Sequence, residues 1–273
     1  MCNNILQYGH IFAWCQEHGR SVVSMRFAYK YQYFRICQTP HHNFLTYAAV
    51  KYAAKLHLLP VVDFDKEPQA NEQGMDALMR RHTSMLVDGW TVHFHDLFQK
   101  HFDRIRTLFT FLPAVEQTAQ LRMMPWLTRK GWIRLGVHIR RGDYARFMGG
   151  RYFYDDATMV GFIRQFRQLF PEQKLVVFVC GNDPHLNQAC YQQAVPEAQF
   201  VFPNGNPGED LCVLSHCDYL MGAPSSFSLV ASMYHDARLC FLTRADQVLT
   251  MSDFCTFEPL RRRFDTYFID NPS

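Results

Sequence analysis

From Trp132 onward the sequence repeats one theme: a short apolar run, a segment with helical spacing, then another apolar run. The runs cover residues 133–139, 175–180, 199–202, 219–221 and 239–242, with helical segments at 157–170, 186–194, 210–215 and 228–234 between them. In the first of these segments Phe162, Ile163, Phe166 and Leu169 fall on one stripe. Runs this short, alternating with amphipathic helices, mark βαβ units wound about a parallel sheet. Five strands and four crossovers predict a compact, Rossmann-like α/β domain over 132–245. Ligands of open α/β sheets bind beyond the carboxyl ends of the strands, so chemistry is expected at 138–144, 181–184, 203–210 and 223–227.

Residues 1–131 read differently, with helices expected at 5–18, 43–58 and 95–109 and strands at 22–25 and 85–90. They form a second, more helical lobe. The polar stretch 63–74 reads as turns, 125–131 as a hinge, and 246–273, with Arg261, Arg262 and Arg263, as a tail of unassigned place. A chain of 273 residues accommodates two such domains.

Charge narrows the function. With 28 Lys and Arg against 25 Asp and Glu, the net +3 lacks the broad positive field that nucleic-acid binding requires, so an anionic ligand must be met locally. No Gly-x-Gly-x-x-Gly follows a strand and no P-loop is present, which argues against a dinucleotide enzyme or an ATPase. Nine Cys, an odd number in a chain of this size, point to a reducing compartment. The amino end lacks a basic segment leading into an apolar one, and no apolar run reaches about 18 residues. A cytoplasmic protein is expected, peripheral at a membrane surface at most.

No metal is expected. Asp63 and Asp65 have the Asp-x-Asp spacing of a divalent-metal grip, but a strand-end turn with two solvated carboxylates is the commoner origin of such a pair. Neither His41 and His42, nor His93 and His95, nor Cys212 and Cys217 have partners at metal-ligand spacing. Trp90, Tyr152 and Tyr154 are candidates for a sugar-stacking wall.

The most informative segment is His138-Ile139-Arg140-Arg141-Gly142-Asp143-Tyr144, at the end of the first apolar run. Alternation along a strand sends His138 and Arg140 to one face and Ile139 and Arg141 to the other. Two Arg at that edge either await an anion, which a guanidinium grips bidentately, or pair with carboxylates such as Asp143, Asp155 or Asp156. The triplet Arg141-Gly142-Asp143 also spells an adhesion motif, a reading that its place at a strand end disfavours.

This segment resembles the His-x-Arg-Arg-x-Asp signature of the α-1,2-fucosyltransferase family. Four further stretches match in order: Asn3-Asn4-Ile5-Leu6-Gln7-Tyr8; Asp88-Gly89-Trp90 with Phe102, Ile105, Arg106 and Phe109; Val179-Cys180-Gly181-Asn182-Asp183; and residues 210–219 followed by Ser225-Ser226-Phe227-Ser228. The resemblance spans residues 2 to 245. It implies a two-lobed GT-B glycosyltransferase, with an acceptor-side lobe at 1–131 and a donor domain at 132–245, moving L-fucose from GDP-fucose to a sugar hydroxyl with inversion and without a metal or other cofactor. Arg140 would stabilise the charge growing on the β-phosphate; the general base is left open between Asp143, which otherwise orients the two Arg, a carboxylate of the first lobe, and none at all. His138, Arg141, Asn182, Asp183 and Phe227 would line the nucleotide-sugar site, Asp210 would accept from guanine, and Ser225 and Ser226 would meet phosphate. The serines at a helix start have an independent reading as caps.

Set against the family, the sequence starts inside the Gly-rich turn at Met1-Cys2-Asn3, so the first lobe is expected to be one strand short, and Ala223-Pro224-Ser225-Ser226 stands for a more usual Asn-Ser-Thr. The expected acceptor is an oligosaccharide or lipid-linked glycan, through the 2-OH of a galactoside in bacterial surface-glycan synthesis. The alternatives are an inactive GDP-sugar-binding relative and a transferase with another nucleotide-sugar donor.

Overall fold

The computed structural model describes residues 1–67, 71–181, 183 and 186–269. It divides into two compact units, Met1–Leu112 and Pro113–Ser273.

The first unit contains helices α1 (Cys2–Glu17), α2 (Phe44–Lys55), α3 (Glu72–Arg80), α4 (His95–Lys100) and α5 (Phe102–Leu108), with strands β1 (Val61–Asp63) and β2 (Leu86–Asp88) paired in parallel. Residues 8–15 of α1 are all buried, so this helix is covered around its whole circumference and runs through the core. Ile11 and Trp14 pack there with Val62, Phe64, Met75 and Phe94. Three expectations change. Residues 22–25 form no strand; the Val22 carbonyl instead accepts the buried Tyr8 hydroxyl at 3.5 Å. The helix expected at 95–109 breaks at His101 (φ −103°, ψ 14°), whose ring reaches Glu17 of α1 at 2.6 Å. Within the stretch read as turns, Asn71 caps α3 by accepting from the Gly74 N–H at 3.0 Å.

The second unit begins with α6 (Pro113–Met123), which the sequence reading did not expect. Proline at its first position suits a helix start, and Val115, Ala119 and Met123 make an i, i+4, i+8 stripe buried where α6 packs on α9. The division between units therefore falls before α6, whereas the expected hinge lies after it. Then come β3 (Trp132–Ile139), α7 (Asp156–Leu169), β4 (Lys174–Gly181), α8 (Gln188–Ala194), β5 (Ala198–Val201), α9 (Pro207–Ser215), β6 (Tyr219–Gly222), α10 (Ser226–Ala231), β7 (Arg238–Phe241) and α11 (Phe257–Arg262). All five expected strands form. They lie parallel in the order β5-β4-β3-β6-β7 and read as continuous apolar runs because helices cover the sheet. Connections from β3 run one way to β4 and β5 and then return to the other side at β6, so the strand order reverses between β3 and β6. Crevices at such a reversal receive ligands. The tail joins this unit: Cys255 bridges antiparallel to Leu239, and Arg261 is buried against Glu258 at 2.7 Å.

Candidate functional site

The carboxyl end of β3 lies at that reversal. Its last residues pair with glycines on both sides, Ile139 with Gly181 of β4 and His138 with Gly222 of β6. A Cβ at either glycine would stand 2.4 Å from a β3 carbonyl oxygen, so only hydrogen fits and the strand ends close tightly there.

His138 is buried, its ring stacked on Phe227 with centroids 4.7 Å apart and its Nδ1 2.9 Å from the Ser228 hydroxyl. Burial, and then the Arg140 charge, push the imidazole down to about 3, so it is neutral at physiological pH. Sequence reading placed Ser228 in a motif and gave it no role; it orients His138.

The two adjacent Arg have different surroundings, and each pairs with carboxylate. Arg140 donates from Nε and Nη2 to both oxygens of Asp143, at 3.1 and 2.7 Å, and from Nη1 to the Ser225 hydroxyl at 3.4 Å. Its guanidinium lies 4.7 Å from the Tyr144 ring centroid, and its side chain keeps 32% of its surface exposed. The Arg140 guanidinium holds the Asp143 carboxyl below the usual range, which disfavours proton uptake by it. Arg141 is enclosed, with 11% exposed. It donates to the Tyr154 carbonyl at 2.9 Å, to Asp183 at 3.0 Å and to Asp156 at 2.5 Å. Tyr191 of α8 donates to the same Asp156 oxygen at 2.7 Å. Asp155, the other carboxylate considered, caps α7 through the Thr158 N–H at 2.8 Å.

Asp210 sits in the first turns of α9, where Asn206 and Glu209 form a capping box after the turn at Gly205. One of its oxygens accepts from the Gly205 N–H at 3.0 Å, and burial pushes the carboxyl up to about 6. A side chain at Gly205 would collide with Arg122 and Asp210. Arg122 of α6 pairs with Glu209 at 2.9 Å, a contribution that sequence reading missed because α6 itself was missed. Ser225 takes the capping role, accepting from the Phe227 N–H at 3.2 Å, and Ser226 is buried beside it. Asn182 lies outside the described residues.

In the first unit, two of the matched stretches meet: the Gln7 side chain donates to the Gly89 carbonyl. Gly89 has φ +99° and lies so close to the Asp65 backbone that a Cβ would not fit. Asp63 and Asp65 form a strand-end turn, with Asp63 bound to Lys66 at 2.8 Å and Asp65 accepting from the Trp90 N–H at 2.7 Å. Neither tyrosine offers the sugar-stacking face expected of it. Tyr152 and Tyr154 are buried and bound through their hydroxyls to the carbonyls of Tyr267 and Leu242, while Trp90 is exposed.

Among the described residues, Glu116, Cys212 and His216 bring three ligand-type atoms within 4.8 Å of one another. They satisfy each other: Cys212 Sγ donates to Glu116 at 3.2 Å, and His216 Nε2 lies 2.6 Å from its other oxygen. Burial pushes the Cys212 thiol well up, which favours the protonated donor over the thiolate a metal would take.

No protein-family model matches the sequence, and no curated protein matches it. Solved structures do. A mutant of Arabidopsis thaliana FUT1 in complex with GDP is similar over 94% of this chain and 71% of its own, at 13% identity and a TM-score of 0.58. NodZ alpha-1,6-fucosyltransferase co-crystallized with GDP is similar over 87% of this chain and 90% of its own, at 14% identity and a TM-score of 0.53. The fold is the GT-B type. Within it the five-stranded sheet is the Rossmann-like carboxyl-terminal half expected from the sequence, and the more helical unit precedes it.

Proposed function

We propose that this chain is a GDP-fucose-dependent fucosyltransferase that transfers L-fucose, with inversion and without a metal, to a sugar hydroxyl. The observation that carries this reading is the unequal pair at the end of β3. Arg141 is enclosed by Asp156 and Asp183, whereas Arg140 stands partly exposed at the strand-order reversal with Asp143 and Ser225 fixing its fork. A fixed guanidinium at that point suits a diphosphate. As the glycosidic bond breaks, negative charge grows on the departing β-phosphate, and a preoriented cation stabilises that state more than the ground state.

The other roles follow from the same arrangement. Arg141 and Asp183 hold the strand end rather than the ligand, Asp143 positions Arg140, and Asp210 with its raised carboxyl faces the guanine N–H groups. His138 and Phe227 form a stacked, neutral wall beside the nucleotide, with Ser225 and Ser226 at the phosphates. The GT-B fold and the GDP bound by both similar structures support the donor. The acceptor we favour is a galactoside 2-OH on an oligosaccharide or lipid-linked precursor of a bacterial surface glycan, with the chain in the cytoplasm. No helix among the described residues is long and apolar enough to cross a membrane.

The test combines titration and turnover. GDP should bind in preference to UDP and ADP in calorimetry, and GDP-fucose should be consumed with a galactoside panel in the presence of EDTA. Preference for UDP or ADP overturns the donor. GDP binding with no turnover assigns the chain to the inactive relatives, and turnover that needs a divalent metal removes the metal-free mechanism.

A further inference from the structure

Helix α2 presents its apolar side outward. None of its residues is buried, although Asn43 caps it through the Thr46 N–H at 2.9 Å and Tyr47 packs against Tyr29 with ring centroids 4.2 Å apart. Leu45, Ala49, Tyr52 and Leu56 follow one another at i, i+4, i+7 and i+11, the spacing by which a helix ordinarily faces a core. Here that stripe is in water: Leu45 is 79% exposed, Tyr52 59% and Leu56 65%, with Phe44 (64%) and Leu58 (76%) at the two ends. Contiguous apolar surface of this kind marks a docking face, whereas single exposed Leu residues do not.

Charge identifies what it docks on. Between Glu17 and Asp63 lie 45 residues without one Asp or Glu, and six of the chain's 28 Lys and Arg are among them. Lys51 and Lys55 are exposed on α2 on the Phe44 side of the stripe, following it at i+7 and i+11. Arg26 donates to the Tyr29 hydroxyl at 3.0 Å beside the same helix, and Lys30 lies near Tyr31. A stripe of Leu and Tyr bordered by cations, with no carboxylate in the segment, is the pattern of a helix lying in the interface of an anionic bilayer. The apolar side chains enter the acyl boundary there, and the ammonium groups reach the phosphates.

We infer that α2, with Arg26 and Lys30, is a membrane-docking face that lays the first unit on an anionic lipid surface. The inference stands on this unit alone, whether or not the chain transfers fucose.

The experiment is vesicle co-flotation of the full chain. Vesicles of phosphatidylcholine with an equal amount of phosphatidylglycerol should carry the protein, vesicles of phosphatidylcholine alone should not, and rising salt should release it. The triple substitution L45S/Y52S/L56S should abolish flotation, and K51E/K55E should weaken it by at least about fivefold per cation. The thermal unfolding midpoint should stay unchanged in both, because these side chains are in solvent in the native chain. Equal binding to neutral vesicles, flotation that survives both substitutions, or no flotation at all overturns the proposal. So does a concentration-dependent dimer in analytical ultracentrifugation that the same substitutions dissolve, because a second copy would then cover the stripe.

Discussion

Tyr191 and Arg141 meet on a single atom: both donate to Oδ1 of Asp156, at 2.7 and 2.5 Å. Arg141 reaches Asp183 with its other amino group, so one guanidinium ties β3 to α7 and to the segment after β4. Its neighbour Arg140 binds Asp143 and the Ser225 hydroxyl and keeps 32% of its side chain exposed, against 11% for Arg141. Two adjacent residues of one type therefore stand in different surroundings.

Replacing each Arg in turn should separate these roles. Arg141→Ala removes a guanidinium shared by two largely enclosed carboxylates and should cost about 3–5 kcal/mol in urea unfolding. Arg140→Ala should cost under about 1 kcal/mol, since water screens a pair as exposed as Arg140 and Asp143, yet it should abolish GDP binding in calorimetry. The reverse pattern would make Arg141 the ligand and Arg140 the brace.

Asp210 should give GDP affinity a pH dependence. Its folded carboxyl titrates near about 6, above the ordinary aspartate range, so it is ionised and able to accept from guanine above that value. Lowering the pH from 7 to 5 should weaken GDP binding by up to about tenfold through this group. In Asp210→Asn the affinity should be low throughout and this part of the slope absent. Because the phosphate of GDP titrates identically against both proteins, the difference between their slopes isolates Asp210.

His138 acts on stability. Its folded value of about 3 lies below the ordinary histidine value, so the unfolded chain takes up the proton first as the pH falls. The contribution of the neutral ring is whole above about 6.5 and is progressively lost from there toward 3. Urea unfolding at pH 7 and pH 5 should show a larger loss in the native protein than in His138→Gln. Asp210, whose raised carboxyl works in the opposite sense, is common to both proteins and cancels. Equal losses would mean that His138 is reached by water.

At Gly222 the prediction concerns packing alone. A methyl group there would press on the His138 carbonyl oxygen, a backbone atom that cannot rotate away. Gly222→Ala should lower stability by about 1–3 kcal/mol. In a crystal structure of the variant, β6 should move away from β3.

Why some of this was legible and some not follows from the range of the interactions. The five strands show in the sequence because helices on the sheet demand unbroken apolar runs such as 175–180. The α6 helix does not show, because its buried stripe is only Val115, Ala119 and Met123 in an otherwise polar stretch, and its partner α9 is remote in sequence. β3 ends at Ile139, and beyond it Arg140 turns to Asp143 and Ser225 while Arg141 turns to Asp156 and Asp183. Asp143 and Asp156 were among the carboxylates that the sequence offered as partners, but the pairing of Arg141 with Asp183 was not legible, because Asp183 comes from beyond β4. Tyr152 and Tyr154 looked like cleft aromatics because nothing in their neighbourhood reveals that Tyr267 and Leu242 supply distant carbonyls.

The wiring of Arg141 also sets a rule for how this chain can diverge. A descendant that lost the guanidinium would take a partner from two carboxylates at once, and one that lost Asp156 would also remove the oxygen to which the Tyr191 hydroxyl donates. Single steps away from the set are therefore penalised. Across relatives, positions 141, 156 and 183 should change together or hold together, while 140 should follow the identity of the donor.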